Sequence, residues 1–231
     1  MKPILKYRGG KSREIKYFKD YIPKFDTYYE PFFGGGAVYF YLEPQKAVIN
    51  DVNKRLIDFY KDVKDEFDLT HIQLSKLGDE YKKNRELFDL EKSKHPHDRV
   101  PDKNESVYYK IRDIFNGKTS TELTYATVYF YINKTAYSGM IRYNKNGDFN
   151  VPFGRYKNFN TDLLNKGHYN LLKSATITNN DYIKSFESAT SNDFMFLDPP
   201  YDTVFSEYGN EVFTGDFGED EHRRLAEDFK N

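Results

Sequence analysis

Apolar residues fall along this chain in short blocks, and their spacing separates strands from helices. Tyr28-Tyr29-Glu30, Ala47-Val48-Ile49-Asn50-Asp51, Thr176-Ile177-Thr178 and Asp193 to Leu197 read as short strands. Ser12 to Tyr21 reads as a helix stopped by Pro23, and Ala37 to Leu42 as one stopped by Pro44. Leu56, Tyr60, Val63 and Phe67 recur at helical spacing, and Ser106 to Asn116 and Thr121 to Asn133 read as further helices. Glu219 to Phe229 reads as a helix started by Asp216, with Glu219 three residues on. Ser93 to Asn104 is polar and reads as an exposed loop, so His95 and His97 read as surface histidines and no metal site is expected. Residues 139 to 153 alternate around Asn146-Gly147, which predicts a hairpin of Gly139 to Asn144 with Asp148 to Phe153.

Strand, glycine loop, helix, then a strand ending in an acid is the opening of a dinucleotide-type sheet. The expected fold is therefore α/β, a Rossmann-like core interrupted by a mostly helical insertion that carries the hairpin. The expected division is residues 1–53 (core, first part), 54–165 (insertion) and 166–231 (core, second part).

Composition narrows the function classes. The chain has 231 residues, 38% hydrophobic and 31% charged, enough for a packed interior. No apolar run approaches the roughly 20 residues needed to cross a bilayer, and Met1 to Lys6 lacks the apolar core of a signal peptide. A cytoplasmic protein with no membrane partner is expected. The lack of cysteine removes disulfides, thiolate metal sites and thiol nucleophiles together. Net charge is −1, but residues 1–19 carry seven Lys/Arg against one Glu and residues 133–158 five against one Asp. Two such patches suit a phosphate backbone if the fold brings them together. The 21 Tyr and 20 Phe suggest aromatic surfaces without locating them.

Two segments carry candidate chemistry. Gly34-Gly35-Gly36 lets backbone approach a ligand closely at a helix N-terminus, Glu30 precedes it, and no Lys-Ser/Thr follows as a phosphate-binding P-loop requires. Asp51 closes the next strand, where an acid accepts from ribose hydroxyls. The combination suits S-adenosylmethionine better than NAD, although a triple glycine alone is also a plain tight turn. Asp198-Pro199-Pro200-Tyr201 follows the apolar run Phe194 to Leu197. Prolines offer no N–H, so a carboxylate and carbonyls stand free to accept from a planar amine while Tyr201 lies against its ring. The plain structural alternative is a strand that stops at prolines.

Together these motifs resemble the Dam-type (alpha-class) DNA adenine-N6 methyltransferases across residues 2–229. Lys6 to Lys11 resembles the family's Lys-Trp-x-Gly-Gly-Lys, with Tyr7 in place of Trp. Glu30 to Gly36 resembles its glycine loop, Asn50 to Asn53 its ribose-binding segment, Asp181-Tyr182 its adenine-binding pair, and Tyr137 to Tyr156 its recognition hairpin. The resemblance implies S-adenosyl-L-methionine as cofactor and S-adenosyl-L-homocysteine as product, held by Tyr7, Lys11, Glu30, Phe32, Gly34, Gly36, Asp51, Asp181 and Tyr182. It implies catalysis by Asp198, Pro199, Pro200 and Tyr201 on a flipped adenine. Methylation of a cytosine ring carbon would need a cysteine nucleophile. Double-stranded DNA is the expected partner, met by Lys6, Tyr137, Met140, Arg142, Asn144, Pro152 and Tyr156. Arg142 suits a guanine edge, and Met140 and Pro152 a thymine methyl.

GATC, or a site containing GAT, is the expected target, although Ser138 and Met140 replace the family's usual Asn and Leu. A cognate restriction endonuclease acting on the same site is compatible with this reading, without a stable complex, as is an orphan modification role. A monomer, nucleoid-associated in a prokaryote or phage-infected cell, is expected. Family members continue past Phe229 into further strands, so the sheet is expected to lack its C-terminal strands. Two alternatives stay open: a truncated, inactive DNA-binding module, and an RNA or protein amino-group methyltransferase.

Overall fold

The computed structural model describes residues 1–139, 141–200 and 217–230. Among them four parallel strands, β1 (Tyr28–Glu30), β2 (Ala47–Asn50), β3 (Ala175–Thr178) and β4 (Phe194–Met195), form a sheet in the order β3-β2-β1-β4. The chain runs outward from β1 through β2 to β3, then returns to place β4 on the other side of β1. The order therefore reverses between β1 and β4, and at such a switch point the strand ends diverge and leave a crevice.

The predicted helix over residues 12–21 is broken into a 3₁₀ turn (Lys11–Arg13), α1 (Ile15–Phe18) and a second 3₁₀ turn (Lys19–Tyr21). Ile15 is its one buried residue, and Tyr17 and Tyr21 are 70% and 83% exposed. A segment this short with one apolar anchor lacks the packing that sustains a regular helix. α2 (Ala37–Leu42) buries Ala37 to Phe40 and ends at Glu43, whose left-handed backbone (φ 50°) turns the chain ahead of Pro44.

After β2 comes α3 (Lys54–Asp65), where Asn53 accepts from the Leu56 amide at 3.2 Å as an N-cap. The helical spacing that continues to Phe67 spans two helices, since the chain breaks at Glu66 before α4 (Phe67–Lys94). α5 (Lys103–Phe115) starts earlier than predicted because Asp102 caps it, accepting from the Asn104 amide at 2.9 Å. α6 (Tyr125–Thr135) is capped by Thr124 and buried from Ala126 to Thr135, packed among α3, α4 and α5. α7 (Lys166–Ser174), α8 (Ile183–Ser188) and α9 (Glu219–Asp228) belong to the second part of the chain. At α9 it is the Gly218 amide that donates to Glu221 Oε2, at 3.2 Å, so the cap lies two residues beyond the predicted Asp216, which is outside the described residues.

The aromatic residues build the core rather than a surface. Tyr28, Tyr39, Tyr60, Tyr108, Tyr131, Phe33, Phe40, Phe59, Phe130 and Phe149 are among the largest fully buried side chains. Several tyrosines also fasten segments through their hydroxyls, with Tyr39 donating to the Leu171 carbonyl (2.7 Å), Tyr108 to Val151 (2.8 Å) and Tyr81 to Tyr156 (2.5 Å). No helix among the described residues is long and apolar enough to cross a membrane.

The hairpin closes without two regular strands. Antiparallel bridges join Tyr143 to Phe149 and Ala136 to Phe153, and Asn144 N donates to Asp148 O at 2.8 Å across the turn. At the hairpin's root, buried Asn133 clasps the backbone of Lys6, accepting from its N–H at 2.8 Å and donating to its carbonyl at 2.9 Å. Lys6 Nζ stands 3.9 Å from the centre of the Tyr156 ring. The two basic segments, distant in sequence, are thus brought together. Replacing Asn133 by alanine removes both hydrogen bonds, and a loss of about 2 kcal/mol in urea unfolding is expected, with faster hydrogen exchange at the Lys6 amide.

Candidate active site

β1 delivers Glu30 to the carboxyl edge of the sheet, and the chain then turns through Phe33 to Gly36 into α2. Gly34 and Gly36 adopt left-handed backbone, with φ of 49° and 63°. A Cβ on Gly34 would lie 2.7 Å from the Tyr7 ring, so Tyr7 rests directly on the loop and the glycine is required by space as well as by φ. Asp51, at the end of β2, holds the loop from below. Its Oδ2 accepts from the Gly34 amide and its Oδ1 from the Asn53 amide, both at 2.8 Å. Tyr60 donates to the Gly34 carbonyl at 3.3 Å. Asn50 donates to the carbonyls of Pro31 (3.1 Å) and Asn180 (2.9 Å), tying the loop to the end of β3.

On the other side of β1, Phe196 N donates to Tyr29 O at 2.8 Å, which keeps the backbone beyond β4 alongside β1 until Asp198-Pro199-Pro200. Phe18 stacks on Phe196 with ring centres 5.5 Å apart. Lys11, in the 3₁₀ turn that follows Gly10, places Nζ 2.8 Å from Asp198 Oδ1. Tyr7, Lys11, Glu30, Gly34, Asp51 and Asp198 all line one cleft, about 540 Å³ including its open mouth. The glycine loop and the proline shelf therefore share a single cavity.

Burial dominates its electrostatics. Glu30 is almost fully buried, and loss of solvent pushes its carboxyl up to about 8. A Tyr28 hydroxyl bond at 2.8 Å and a contact with the Tyr39 backbone oppose that rise, while Asp198 and Asp51 add to it. Asp51 is raised by burial against its two amide bonds. Asp198 is raised by burial with Lys11 pulling the other way and Glu14 adding.

Phe32, Gly36, Pro199 and Pro200 line the same cleft, whereas Asp181, Tyr182 and the hairpin candidates lie outside its lining. Asp181 and Tyr182 stand behind Phe32, whose ring centre is 5.3 Å from Tyr182 and 5.7 Å from Phe217. Asp181 accepts from Arg224 of α9 at 3.2 and 3.3 Å, and Tyr182 donates to Asp228 at 2.8 Å. On the hairpin, Arg142 is exposed and engages Asn150 Oδ1 through Nε alone at 2.9 Å, which leaves both terminal nitrogens out of that bond. Tyr137 is 58% exposed, and Pro152 is exposed beside it, its carbonyl accepting from Tyr137 N at 2.8 Å. The Asn144 side chain is spent on the turn, accepting from the amides of Asn146 (2.9 Å) and Asp148 (3.0 Å). Met140 and Tyr201 fall outside the described residues.

Asn50, Tyr60, Asn133 and Arg224 emerge only from the structure. Asn50 and Asn133 carried a weak signal, an amide inside an apolar block, where a buried polar group must find partners. Tyr60 and Arg224 carried none, being one of many helix-spaced aromatics and one of many surface arginines.

Comparison with known proteins gives a concordant result. The family model described as D12 class N6 adenine-specific DNA methyltransferase matches residues 7–231. The chain is 39% identical over 235 aligned positions to the Type II methyltransferase M.CviBI of Paramecium bursaria Chlorella virus NC1A, covering all of this chain and 79% of that protein. It is 36% identical to the Type II methyltransferase M.MjaIII of Methanocaldococcus jannaschii, with 100% and 80% covered. It is 31% identical to the DNA adenine methylase of Escherichia coli K12, with 91% and 70% covered.

The raised Glu30 carboxyl has a consequence for stability. Between its ordinary value of 4.5 and about 8 the folded protein holds a proton that the unfolded chain has released. Stability from this group is therefore fully present at the acid end and is lost as pH rises through that window. Asp51 and Asp198 shift in the same sense, so Glu30→Gln should flatten the fall in unfolding free energy between pH 5 and 8 without abolishing it. Urea denaturation of both proteins across that range checks this; parallel curves would count against a protonated Glu30.

Proposed function

The chain belongs to the D12 class N6 adenine-specific DNA methyltransferases, and from that premise we propose that it transfers a methyl group from S-adenosyl-L-methionine to the N6 amine of an adenine in double-stranded DNA, within GATC or a site containing GAT. The observation that carries this reading is the single cleft uniting glycine loop and proline shelf at the β1/β4 switch point. Residues 1–53 and 166–231 act as the catalytic and cofactor-binding core, and 54–165 as the target-recognition insertion.

The residues at hand fit the cofactor. The glycine cradle admits close approach only because no side chain occupies it, since a Cβ on Gly36 would meet Phe33 at 2.4 Å. Glu30 at its floor, whose ionised form an adjacent cation would favour, suits the ammonium of an amino acid, and Asp51 keeps a second lone pair on each oxygen for ribose hydroxyls. Tyr7, Lys11, Phe32 and Gly34 complete the holding set, with Asp181 and Tyr182 toward the adenine. When bound, S-adenosylmethionine supplies an electrophilic methyl on a cationic sulfur and leaves as S-adenosylhomocysteine.

The chain's own work is to make a poor nucleophile attack. The adenine amine is delocalised into its ring, and hydrogen bonds from its two N–H groups to the Asp198 carboxylate and the Pro199 carbonyl localise the lone pair. One fixed acceptor of this kind contributes about 3 kcal/mol. Pro199 and Pro200 stiffen the shelf, Tyr201 stacks on the flipped ring, and Tyr137 fills the gap left in the duplex. The nitrogen, having gained a carbon, sheds a proton for which Asp198 is the adjacent acceptor. Lys6 and Arg142 read the flanking guanines, Met140 and Pro152 a thymine methyl, and Asn144 and Tyr156 shape the hairpin that presents them.

The protein acts as a monomer in the cytoplasm, associated with the nucleoid. Names of the Type II relatives favour a modification role beside an endonuclease of the same specificity, held in no stable complex.

Labelled methyl incorporation into a GATC duplex, set against a scrambled duplex, tests the proposal. Sequence-dependent incorporation is expected, with at least a ~100-fold loss in Asp198→Ala; binding without incorporation would instead favour an inactive DNA-binding module. Arg142→Ala is expected to relax discrimination at the guanine it reads by about 1–3 kcal/mol, measured as the ratio of kcat/KM between cognate and singly substituted duplexes.

A further inference from the structure

The ion pair of Lys11 with Asp198 stands where the reaction needs something else. Lys11 Nζ lies 2.8 Å from Asp198 Oδ1, with the two side chains 16% and 24% exposed, inside the cleft that the target base must enter. A nitrogen donor at that distance from that oxygen has the geometry the adenine amine requires. Resting on the methyltransferase reading above, we infer that Lys11 is a placeholder for the target amine: it keeps the Asp198 carboxylate charged and aimed while the cleft holds no base, and yields that oxygen when the amine arrives. Lys11 is thus a positioning residue acting through Asp198.

Three features support the exchange. The ammonium already shares a second acceptor, the Gly9 carbonyl at 3.2 Å, so leaving Asp198 does not strand it. The lysine stem is flexible, with three rotatable donors on its head. The start of the segment is fixed, because the Lys6 backbone is clasped by Asn133 and Tyr7 rests on Gly34. The titratable groups facing Asp198 are Lys11 and Glu14 from the N-terminal turn and Glu30 from β1, with Asp51 and Arg8 on the same cleft. Burial keeps Glu30 protonated, so Glu14 is the charge that opposes Lys11, and without the lysine charge the half-buried Asp198 carboxylate takes up a proton more readily.

The test follows the Asp198 carboxyl by ¹³C NMR titration, its resonance assigned by loss in Asp198→Asn, together with single-turnover methyl transfer into a GATC duplex across pH. Lys11→Gln retains donors but removes the charge. With S-adenosylmethionine at saturation, so that any loss of cofactor affinity does not enter the rate, it should move the Asp198 midpoint to higher pH and carry the acid limb of the rate with it, giving about tenfold loss at pH 6 that narrows as pH rises toward 9; Lys11→Arg should restore the parent limb. In the parent, a duplex with adenine at the target should raise the midpoint, whereas one with purine, which has no amine, should not. Equal midpoints in parent and Lys11→Gln, a rate loss uniform over pH, or no response to the adenine duplex would each overturn the inference. If the parent transferred no methyl at all, the methyltransferase reading would fail by itself, and the NMR midpoints would still decide the role of Lys11.

Discussion

The Asp51 carboxylate, shared between the amides of Gly34 and Asn53, is the interaction on which this architecture rests. A loop of three glycines has little conformational preference of its own, and fixing each residue costs on the order of 1–2 kcal/mol of backbone entropy. The loop holds one shape because its polar groups are taken. Asp51 binds the Gly34 amide, Tyr60 the Gly34 carbonyl, and Asn50 the Pro31 carbonyl. Three residues on β2, its end and α3 thereby set the geometry of a loop to which they are not adjacent in sequence. With the loop fixed, Tyr7 has a surface to rest on, and the N-terminal segment has a defined path into the cleft.

The segment between β2 and β3 obeys the same logic with different chemistry. Among the described residues its hairpin pairs through isolated bridges and a few backbone hydrogen bonds, too few for independent stability. It is anchored instead by side chains that reach backbone: Tyr108 to Val151, Tyr81 to Tyr156, and Asn116 to both N–H and C=O of Phe149. A buried tyrosine suits this task because its ring fills core volume while its hydroxyl satisfies one carbonyl. This accounts for much of an aromatic content that composition alone could not locate.

The carboxyl-edge chemistry was legible in the sequence because it is encoded locally. Glu30 before the glycines, Asp51 closing β2 and Asp198 before two prolines each sit where a strand ends, and parallel strands necessarily gather such ends on one edge. The helix boundaries were less legible. Leu56 to Phe67 keeps helical spacing straight through the break at Glu66, since periodicity reports which face is buried and not whether the backbone is continuous. α7 was missed because its sequence, Lys-Gly-His-Tyr-Asn-Leu-Leu-Lys-Ser, opens on poor helix formers, and its start depends on Asn165 accepting from two amides. Long-range pairings such as Lys6 with Asn133, or Lys11 with Asp198, leave no local pattern at all.

Those two pairings lie on one stretch of six residues, and their placement ties the hairpin to the cleft. Lys6 is fixed at the root of the hairpin, Tyr7 on the glycine loop, and Lys11 on the proline shelf. Between them Gly9 adopts left-handed backbone (φ 74°) and the Gly10 amide donates to the Tyr7 carbonyl at 3.4 Å, closing a tight turn. A turn so pinned has little slack, so displacement at the Lys6 end alters the reach of Lys11. The segment from Lys6 to Lys11 is therefore the shortest covalent path from the root of the hairpin to the Asp198 carboxylate.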